Sequence, residues 1–296
     1  MVFITIIKEK IKGSLRKHGF LNTFKKFLWE LGILELKFLL KILRIKVYST
    51  IKYPLTGIEI NVRFNDFFWR KLAKGSWEFN CIRYLSKIVR NGQTILDVGA
   101  WNGPYTLLLS KLVGDGGKVI AFEPDSSAYT FLLENIKINN LKNTIAERIG
   151  LSNFTGKSKL VIYRNVFGVR SQSISSLSLR NNEVKSKYEI IKITTIDKYC
   201  EENNIHPDGL IIDVEGAEGL VIEGARSIIK KFSPWILLEF HGNLMSKEQQ
   251  ISNLQQILDV SKKVAIINDN LRFYNAKLAK DIPINRNINL FLQNKF

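Results

Sequence analysis

The spacing of apolar positions changes along the chain, and each change marks an element. Between residues 20 and 47, Phe20, Phe24, Phe27, Leu28, Leu31, Leu34, Phe38, Ile42 and Ile45 recur at three- and four-residue steps. That period predicts a long amphipathic helix, with Lys26, Glu30, Lys37, Lys41 and Arg44 on another stripe. Ile58, Ile60, Val62 and Phe64 then alternate with polar residues, which predicts a half-buried strand. Residues 77–89 read as a helix. From Thr94 onward short apolar runs alternate with helical patterns: strands at 94–98, 118–122, 144–150, 210–214 and 235–239, and helices at 104–113, 126–139, 218–230 and 248–260. Further strands are expected at 160–163 and 188–195, around a polar, Ser-rich loop at 165–182, and at 264–267, 272–274 and 289–292 near the end. Pro104 opens its helix where a missing N–H does no harm, and Gly114 to Gly117 turns the chain after it. Repeated strand–helix units imply an α/β fold with a doubly wound, mostly parallel sheet and helices on both faces.

Composition adds three limits. The chain has 296 residues, 45% hydrophobic and 24% charged, the balance of a folded protein. The longest stretch without Asp, Glu, Lys or Arg is 98–110, too short to cross a bilayer. Two cysteines, Cys81 and Cys200, make neither a disulfide framework nor a zinc site and suit a reducing compartment. The net charge is +17, of which +9 falls in residues 1–52. That excess predicts anionic company: lipid head groups, nucleic acid or acidic glycans. The expected location is cytoplasmic, with residues 20–47 as a peripheral membrane contact; the alternative is an apolar face docked on the catalytic domain or on a second subunit.

Chemistry concentrates where strands end. A strand runs into Asp97-Val-Gly-Ala-Trp-Asn-Gly-Pro104, and a helix begins. Gly99 and Gly103 let backbone approach a ligand, and the helix N-terminus offers free N–H groups. The glycines are four apart, so this is not the G-x-G-x-x-G dinucleotide pattern, and a nicotinamide cofactor is disfavoured. Glu123 ends the next strand, 26 residues after Asp97, where an acid in a doubly wound sheet accepts hydrogen bonds from ribose hydroxyls. Asp213 and Glu215 end an apolar strand at the sheet's carboxyl edge, where a carboxylate can bind an ammonium or orient and deprotonate a hydroxyl; Glu218 reads as a helix-dipole acid. Glu239 and His241 follow the next buried strand, and His241 is the first candidate for a base, ahead of Asp213 and Glu215. His18 and His206 have no such setting, and no metal-ligand spacing stands out, so no metal is expected. The Ser-rich loop, with Arg164, Arg170 and Arg180, is a candidate cover for the acceptor.

These motifs together resemble class I, Rossmann-like S-adenosylmethionine-dependent methyltransferases, and more narrowly the FkbM family. The resemblance rests on Asp97-Val-Gly-Ala-Trp-Asn-Gly103, Ala121-Phe-Glu-Pro-Asp125, Asn135, Asn139, Thr194-Thr-Ile-Asp197, Ile212-Asp-Val-Glu-Gly-Ala-Glu218, Gly224-Ala225 and Leu238-Glu-Phe-His241, with Trp77-Glu78 ahead of the first strand. It covers residues 76–241 in order. One position departs: the family's usual Lys, two before Asp213, is Ile211. The resemblance implies S-adenosyl-L-methionine as cofactor, held by Glu78, Asp97, Gly99, Ala100, Asn102, Gly103, Glu123, Pro124 and Asp213. It implies Asp213, Glu215 and His241 on the reacting side, and O-methylation of a sugar, glycolipid or related small molecule. The expected organisation is a basic helical extension at 1–52, a strand-containing linker at 53–75 and a methyltransferase domain at 76–296. Two alternatives remain. An RNA methyltransferase would explain the charge, although no Pro-Pro pair exists for base N-methylation. A non-catalytic membrane or glycan binder of the same fold would explain Ile211.

Overall fold

The computed structural model describes residues 48–63, 67–165, 168–173, 187–267, 272–275 and 286–293. The chain divides into two compact units, Met1–Tyr48 and Ser49–Phe296. The helix expected over residues 20–47 lies outside the described residues.

Elements run in the order β1 (Tyr48–Lys52), β2 (Glu59–Arg63), α1 (Phe67–Ala73), α2 (Phe79–Ile88), β3 (Thr94–Val98), α3 (Pro104–Val113), β4 (Lys118–Phe122), α4 (Ser126–Ile138) and β5 (Thr144–Glu147). Then come β6 (Gly150–Leu151), β7 (Gly156–Asn165), β8 (Gly168–Ser173), β9 (Lys187–Thr194), α5 (Ile196–Glu202), β10 (Gly209–Ile212), α6 (Glu218–Glu223) and α7 (Arg226–Phe232). β11 (Trp235–His241), a 3-10 turn (Gly242–Leu244), α8 (Lys247–Asp259), β12 (Lys263–Ile266), β13 (Arg272–Asn275) and β14 (Asn287–Gln293) complete it. The central sheet has eight strands in the order β13-β12-β14-β11-β10-β3-β4-β5. β11, β10, β3, β4 and β5 are parallel, while β14, β12 and β13 join antiparallel. From β3 the chain winds outward through β4 and β5. It then returns to β10 on the other side of β3 and winds outward again through β11. The reversal between β3 and β10 is the topological switch point, outside whose carboxyl ends open α/β sheets bind ligands.

Side-chain alternation assigns each strand residue to a layer. Leu96, Val98, Leu210, Ile212, Ile236, Leu238 and Phe240 face a core shared with Tyr199, Val221, Ile229 and Ile257 of α5 to α8. Ile95, Ile211 and Leu237 face the opposite core, shared with Cys81 and Leu85 of α2 and Tyr105 and Leu109 of α3. Asp97, Asp213, Glu239 and His241 continue this second face toward the carboxyl edge, so its apolar stripe turns acidic where the strands end. Ile211 is fully inside that stripe, which explains how an apolar residue is accommodated at this position. Both cysteines are free and buried.

Residues ahead of β3 are built into the same body. Ile51, Tyr53, Ile60, Val62, Trp69 and Leu72 share a buried cluster with Ile82, Leu107 and Leu108 of α2 and α3. β2 is further tied by Asn135 and Asn139, two of the residues that carried the family resemblance. Asn135 accepts the Arg63 N–H (2.9 Å), and Asn139 both accepts from and donates to the Asn61 backbone (2.8 and 2.6 Å).

Three expectations change in detail. β6 to β9 form a separate four-stranded sheet, order β6-β9-β7-β8, outside the central one. The polar loop at 165–182 contains β8, which pairs antiparallel with β7 from Leu160↔Ser173 to Asn165↔Gly168; cross-strand pairing builds a strand that the local sequence does not announce. The single helix expected at 218–230 is two, broken at Gly224-Ala225. A Cβ on Gly224 would lie 2.0 Å from the Ser152 carbonyl oxygen, and the Asp197 carboxylate caps α7 by accepting the Ser227 and Ile228 N–H groups at 3.0 and 2.9 Å.

Candidate active site

The turn after β3 has its shape imposed from two sides. Gly99 takes φ +86° and Gly103 φ +96°, both left-handed. A Cβ on Gly99 would stand 1.8 Å from the carbonyl oxygen of Asp213, so the loops following β3 and β10 touch through backbone. The Gly99 and Ala100 N–H groups donate to the Phe122 carbonyl (2.9 and 3.0 Å). Asn135 Nδ2 donates to the Asn102 carbonyl at 2.8 Å, while the buried Asn102 Oδ1 has no hydrogen-bond partner. An orphaned acceptor facing a glycine turn is what a ligand donor would satisfy.

Glu123 joins this turn to the end of β4. Its side chain is buried (4% exposed) and accepts the Trp101 N–H at Oε2 (2.7 Å) and the Asp125 N–H at Oε1 (2.8 Å). Burial dominates these bonds and raises its pKa from 4.5 to about 8. Pro124 follows, half-buried, and the Asp125 carboxylate caps α4 by accepting from the Ser127 and Ala128 N–H groups. Asp97 is buried below the turn, accepts the Thr106 hydroxyl, and is pushed by burial to about 6. Its bond runs to the first turn of α3, so it fixes the loop rather than offering a free carboxylate.

A second group of side chains converges beside the first. His241, only 3% exposed, donates from Nδ1 to Glu218 Oε1 at 2.8 Å. Its Nε2 faces Asp213 Oδ1 and Glu215 Oε2, each at 3.7 Å, and Glu239 Oε1 at 3.6 Å. Glu218 is fully buried, and its Oε1 also accepts the Gly216 N–H (2.8 Å). Asn287 of β14 donates to Glu239 Oε1 at 3.3 Å. Glu78, at the N-cap of α2 with φ +40°, accepts the Tyr105 hydroxyl and lies close enough to Glu239 to feel its charge. Burial and then the Glu239 charge push Glu78 up to about 8. Burial and then the Glu239 charge also raise Asp213. For His241 burial alone would lower the pKa, but the Glu218 hydrogen bond and charge, with those of Asp213 and Glu239, lift it to about 10.

The structure thus brings Glu78, Asp213, Glu215 and His241 into one cluster, and Gly99, Ala100, Asn102, Gly103 and Glu123 into the adjoining turn. His206 is apart, stacked on Phe232 at 4.5 Å; His18 lies outside the described residues. Sequence reasoning named Glu218 and Glu239 without giving them a place in the site, and missed Tyr105. Glu218 does sit in the first turn of α6, as a dipole acid should, yet it is buried and anchors His241. Glu239 interrupts the apolar run of β11, and an ionisable residue inside a buried strand is itself a signal. Tyr105, inside an apolar helix, carried none.

A sheet reversing between β3 and β10, with a glycine turn and a buried acid at its carboxyl edge, defines the class I methyltransferase architecture. The family model described as the Methyltransferase FkbM domain matches residues 97–275, more than half of the chain, and the chain belongs to that family. The matched region is thus a methyltransferase domain. No curated protein matches it. Among solved structures it is similar to the FkbM methyltransferase of Methylobacillus flagellatus KT (14% identity, 77% of this chain and 55% of that chain, TM-score 0.45). The chain therefore spans little more than half the length of that protein. It is also similar to Aeropyrum pernix fibrillarin, crystallised with natively bound S-adenosyl-L-methionine (11% identity, 84% and 98% covered, TM-score 0.43). A third is a Thermotoga maritima SAM-dependent O-methyltransferase (12% identity, 84% and 78% covered, TM-score 0.41).

Proposed function

We propose that the enzyme methylates a hydroxyl oxygen of a sugar, glycolipid or related small molecule. One observation carries the reading: three carboxylate oxygens converge at 3.6–3.7 Å on His241 Nε2, at the sheet edge that touches the Gly99 turn. A hydroxyl must lose its proton as the oxygen is methylated, and carboxylates both accept hydroxyl hydrogen bonds and take that proton. The residues of the turn fit the cofactor. Gly99 and Gly103 hold the loop open, Asn102 Oδ1 is an unused acceptor, and Glu123 has lone pairs left for the ribose hydroxyls. When bound, the cofactor supplies a methyl group on a positively charged sulfur, already activated, so the protein's task is positioning.

Within the cluster the roles divide by protonation. With no other cation in the cluster, His241, raised to about 10, is protonated at neutral pH and orders the acids around it. The proton-accepting role passes to Asp213 and Glu215, whose side chains are 29% and 38% exposed on the open side. A carboxyl whose proton affinity is raised, as at Asp213, is a stronger base than an ordinary surface carboxylate. Glu78 and Tyr105 support the floor of the cluster. We place the protein at the cytoplasmic face of a membrane, on the basis of the +9 charge in residues 1–52. Among the described residues no helix is long and apolar enough to cross a membrane. The test is transfer of labelled methyl from S-adenosyl-L-methionine into a fractionated lipid, glycan and RNA extract. Label released from a glycan or lipid as a methyl ether supports the reading, and label confined to RNA overturns it.

A further inference from the structure

We infer that Asp213, Glu239 and His241 form a binding site for one divalent cation, which holds the acceptor's hydroxyl oxygen. One ligand atom from each residue lies within 4.8 Å of the others. The separations of His241 Nε2 from Asp213 Oδ1 (3.7 Å) and Glu239 Oε1 (3.6 Å) are too long for hydrogen bonds. Two ligand atoms each about 2.1 Å from a common metal stand about 3.0 Å apart at a right angle and about 3.4 Å apart at the tetrahedral angle, so a movement of a few tenths of an ångström would bring these donors onto one ion.

A separate observation points the same way. His241 is buried, and its Nδ1 is committed at 2.8 Å to Glu218, a carboxylate with no exposure. That bond fixes the ring so that Nε2 is presented to the gap between the carboxylates. A carboxylate behind a histidine whose second nitrogen faces outward is the arrangement that orients a metal-ligating imidazole. Asn287 positions Glu239 in the same way. Beyond His241 itself the acids lack a cationic partner: among the described residues, neither Asp213, Glu218 nor Glu239 has a Lys or Arg ion-pair partner, and residue 211 is Ile. Two carboxylates and one imidazole suit Mn²⁺ or a similar ion of intermediate softness. An ion held by these three residues would take the acceptor hydroxyl as a further ligand beside the partly exposed Asp213 and Glu215, and Glu215 would receive the hydroxyl's proton. This deepens the proposed hydroxyl methylation and rests on it.

The test is titration of the chelator-treated full chain with Mn²⁺ alone, followed by electron paramagnetic resonance and calorimetry. The expected result is one Mn²⁺ per chain, weakened about ten-fold or more in Glu239→Gln. Glu218→Gln keeps every proposed ligand and is expected to weaken binding about 10- to 100-fold through the ring's orientation. S-adenosylhomocysteine binding in each variant reports that it is folded; should one fail, His241→Gln replaces it. No Mn²⁺ uptake by a chain that binds S-adenosylhomocysteine overturns the site, as does uptake undiminished in the variants. One-for-one displacement of Mn²⁺ by S-adenosylhomocysteine also overturns it and assigns the acids to the cofactor's ammonium. The two readings fail separately. Hydroxyl methylation undiminished in excess chelator sinks the ion and leaves the O-methyltransferase standing, whereas Mn²⁺ binding with label going only to RNA does the reverse.

Discussion

Replacing Glu123 by Ala tests the cofactor side, because this carboxylate does two things at once. It would bind the ribose, and it accepts the Trp101 and Asp125 N–H groups at 2.7 and 2.8 Å, joining the glycine turn to the end of β4. Above about pH 8, where the Glu123 carboxyl is ionised, each hydrogen bond from the ribose to this charged acceptor is worth about 1.5–3 kcal/mol. Loss of one such bond lowers affinity for S-adenosylhomocysteine about 10- to 150-fold, measured by titration calorimetry. The effect on stability depends on pH. Without ligand the carboxyl binds its proton more tightly folded, at about 8, than unfolded, at 4.5. The protonated side chain therefore contributes fully below about pH 4.5, and the contribution is lost as pH rises through 8. At about 1.4 kcal/mol per tenfold change in proton affinity, the span amounts to about 5 kcal/mol, an order of magnitude only. The variant, which also leaves two backbone N–H groups unsatisfied, is expected to be most destabilised near pH 5 and much less so near pH 9. Denaturant midpoints at the two pH values read this directly. Unchanged affinity removes Glu123 from the site, and a destabilisation independent of pH refutes the burial argument.

Four further outcomes are expected. Gly99→Ala places a Cβ 1.8 Å from the Asp213 carbonyl at φ +86°; it should abolish S-adenosylhomocysteine binding in calorimetry and lower the melting temperature, left-handed strain alone costing about 1–2 kcal/mol. Asn135→Ala loses its bonds to Asn102 and Arg63 backbone and should cost about 1–3 kcal/mol in urea midpoint at constant slope, a change of slope instead indicating loss of two-state unfolding. Asp213→Asn and Glu215→Gln, assayed on a confirmed acceptor, should keep S-adenosylhomocysteine binding within a few-fold. The one acting as base loses about 10²–10⁴ in turnover, and parental rates in both would make the cluster structural. Deletion of residues 1–47 spares β1 and should leave a folded chain that no longer binds anionic vesicles; precipitation of the deletion would show that the removed apolar face was core.

The strands and helices nearest the cofactor turn were legible because their causes are local. β3, α3 and β4 have the bounds that an apolar run, a Pro at the first helical position and a glycine turn set without help from the rest of the chain. Glu123 was legible for the same reason: strand, turn and acid follow one another at a spacing that the doubly wound fold demands. Asp197 was less so. Its motif was visible, but its work, capping α7 thirty residues away, depends on how α5 packs.

Read alone, the sequence determined the order of elements, the α/β class, the family and the identity of most chemical groups, since these follow from short-range periodicity and motif order. Only the tertiary structure decided what those groups do together. Glu218 reads as a helix-dipole acid until β11 places His241 against it, and Glu239 reads as a strand residue until the register with β10 sets it beside Asp213. His241 itself changes from a candidate base of ordinary strength to a group of raised proton affinity, because Asp213 and Glu218, brought from the stretch after β10, join Glu239 of its own strand around it. Electrostatic energy depends on distance through space, and a linear sequence carries distance only along the chain.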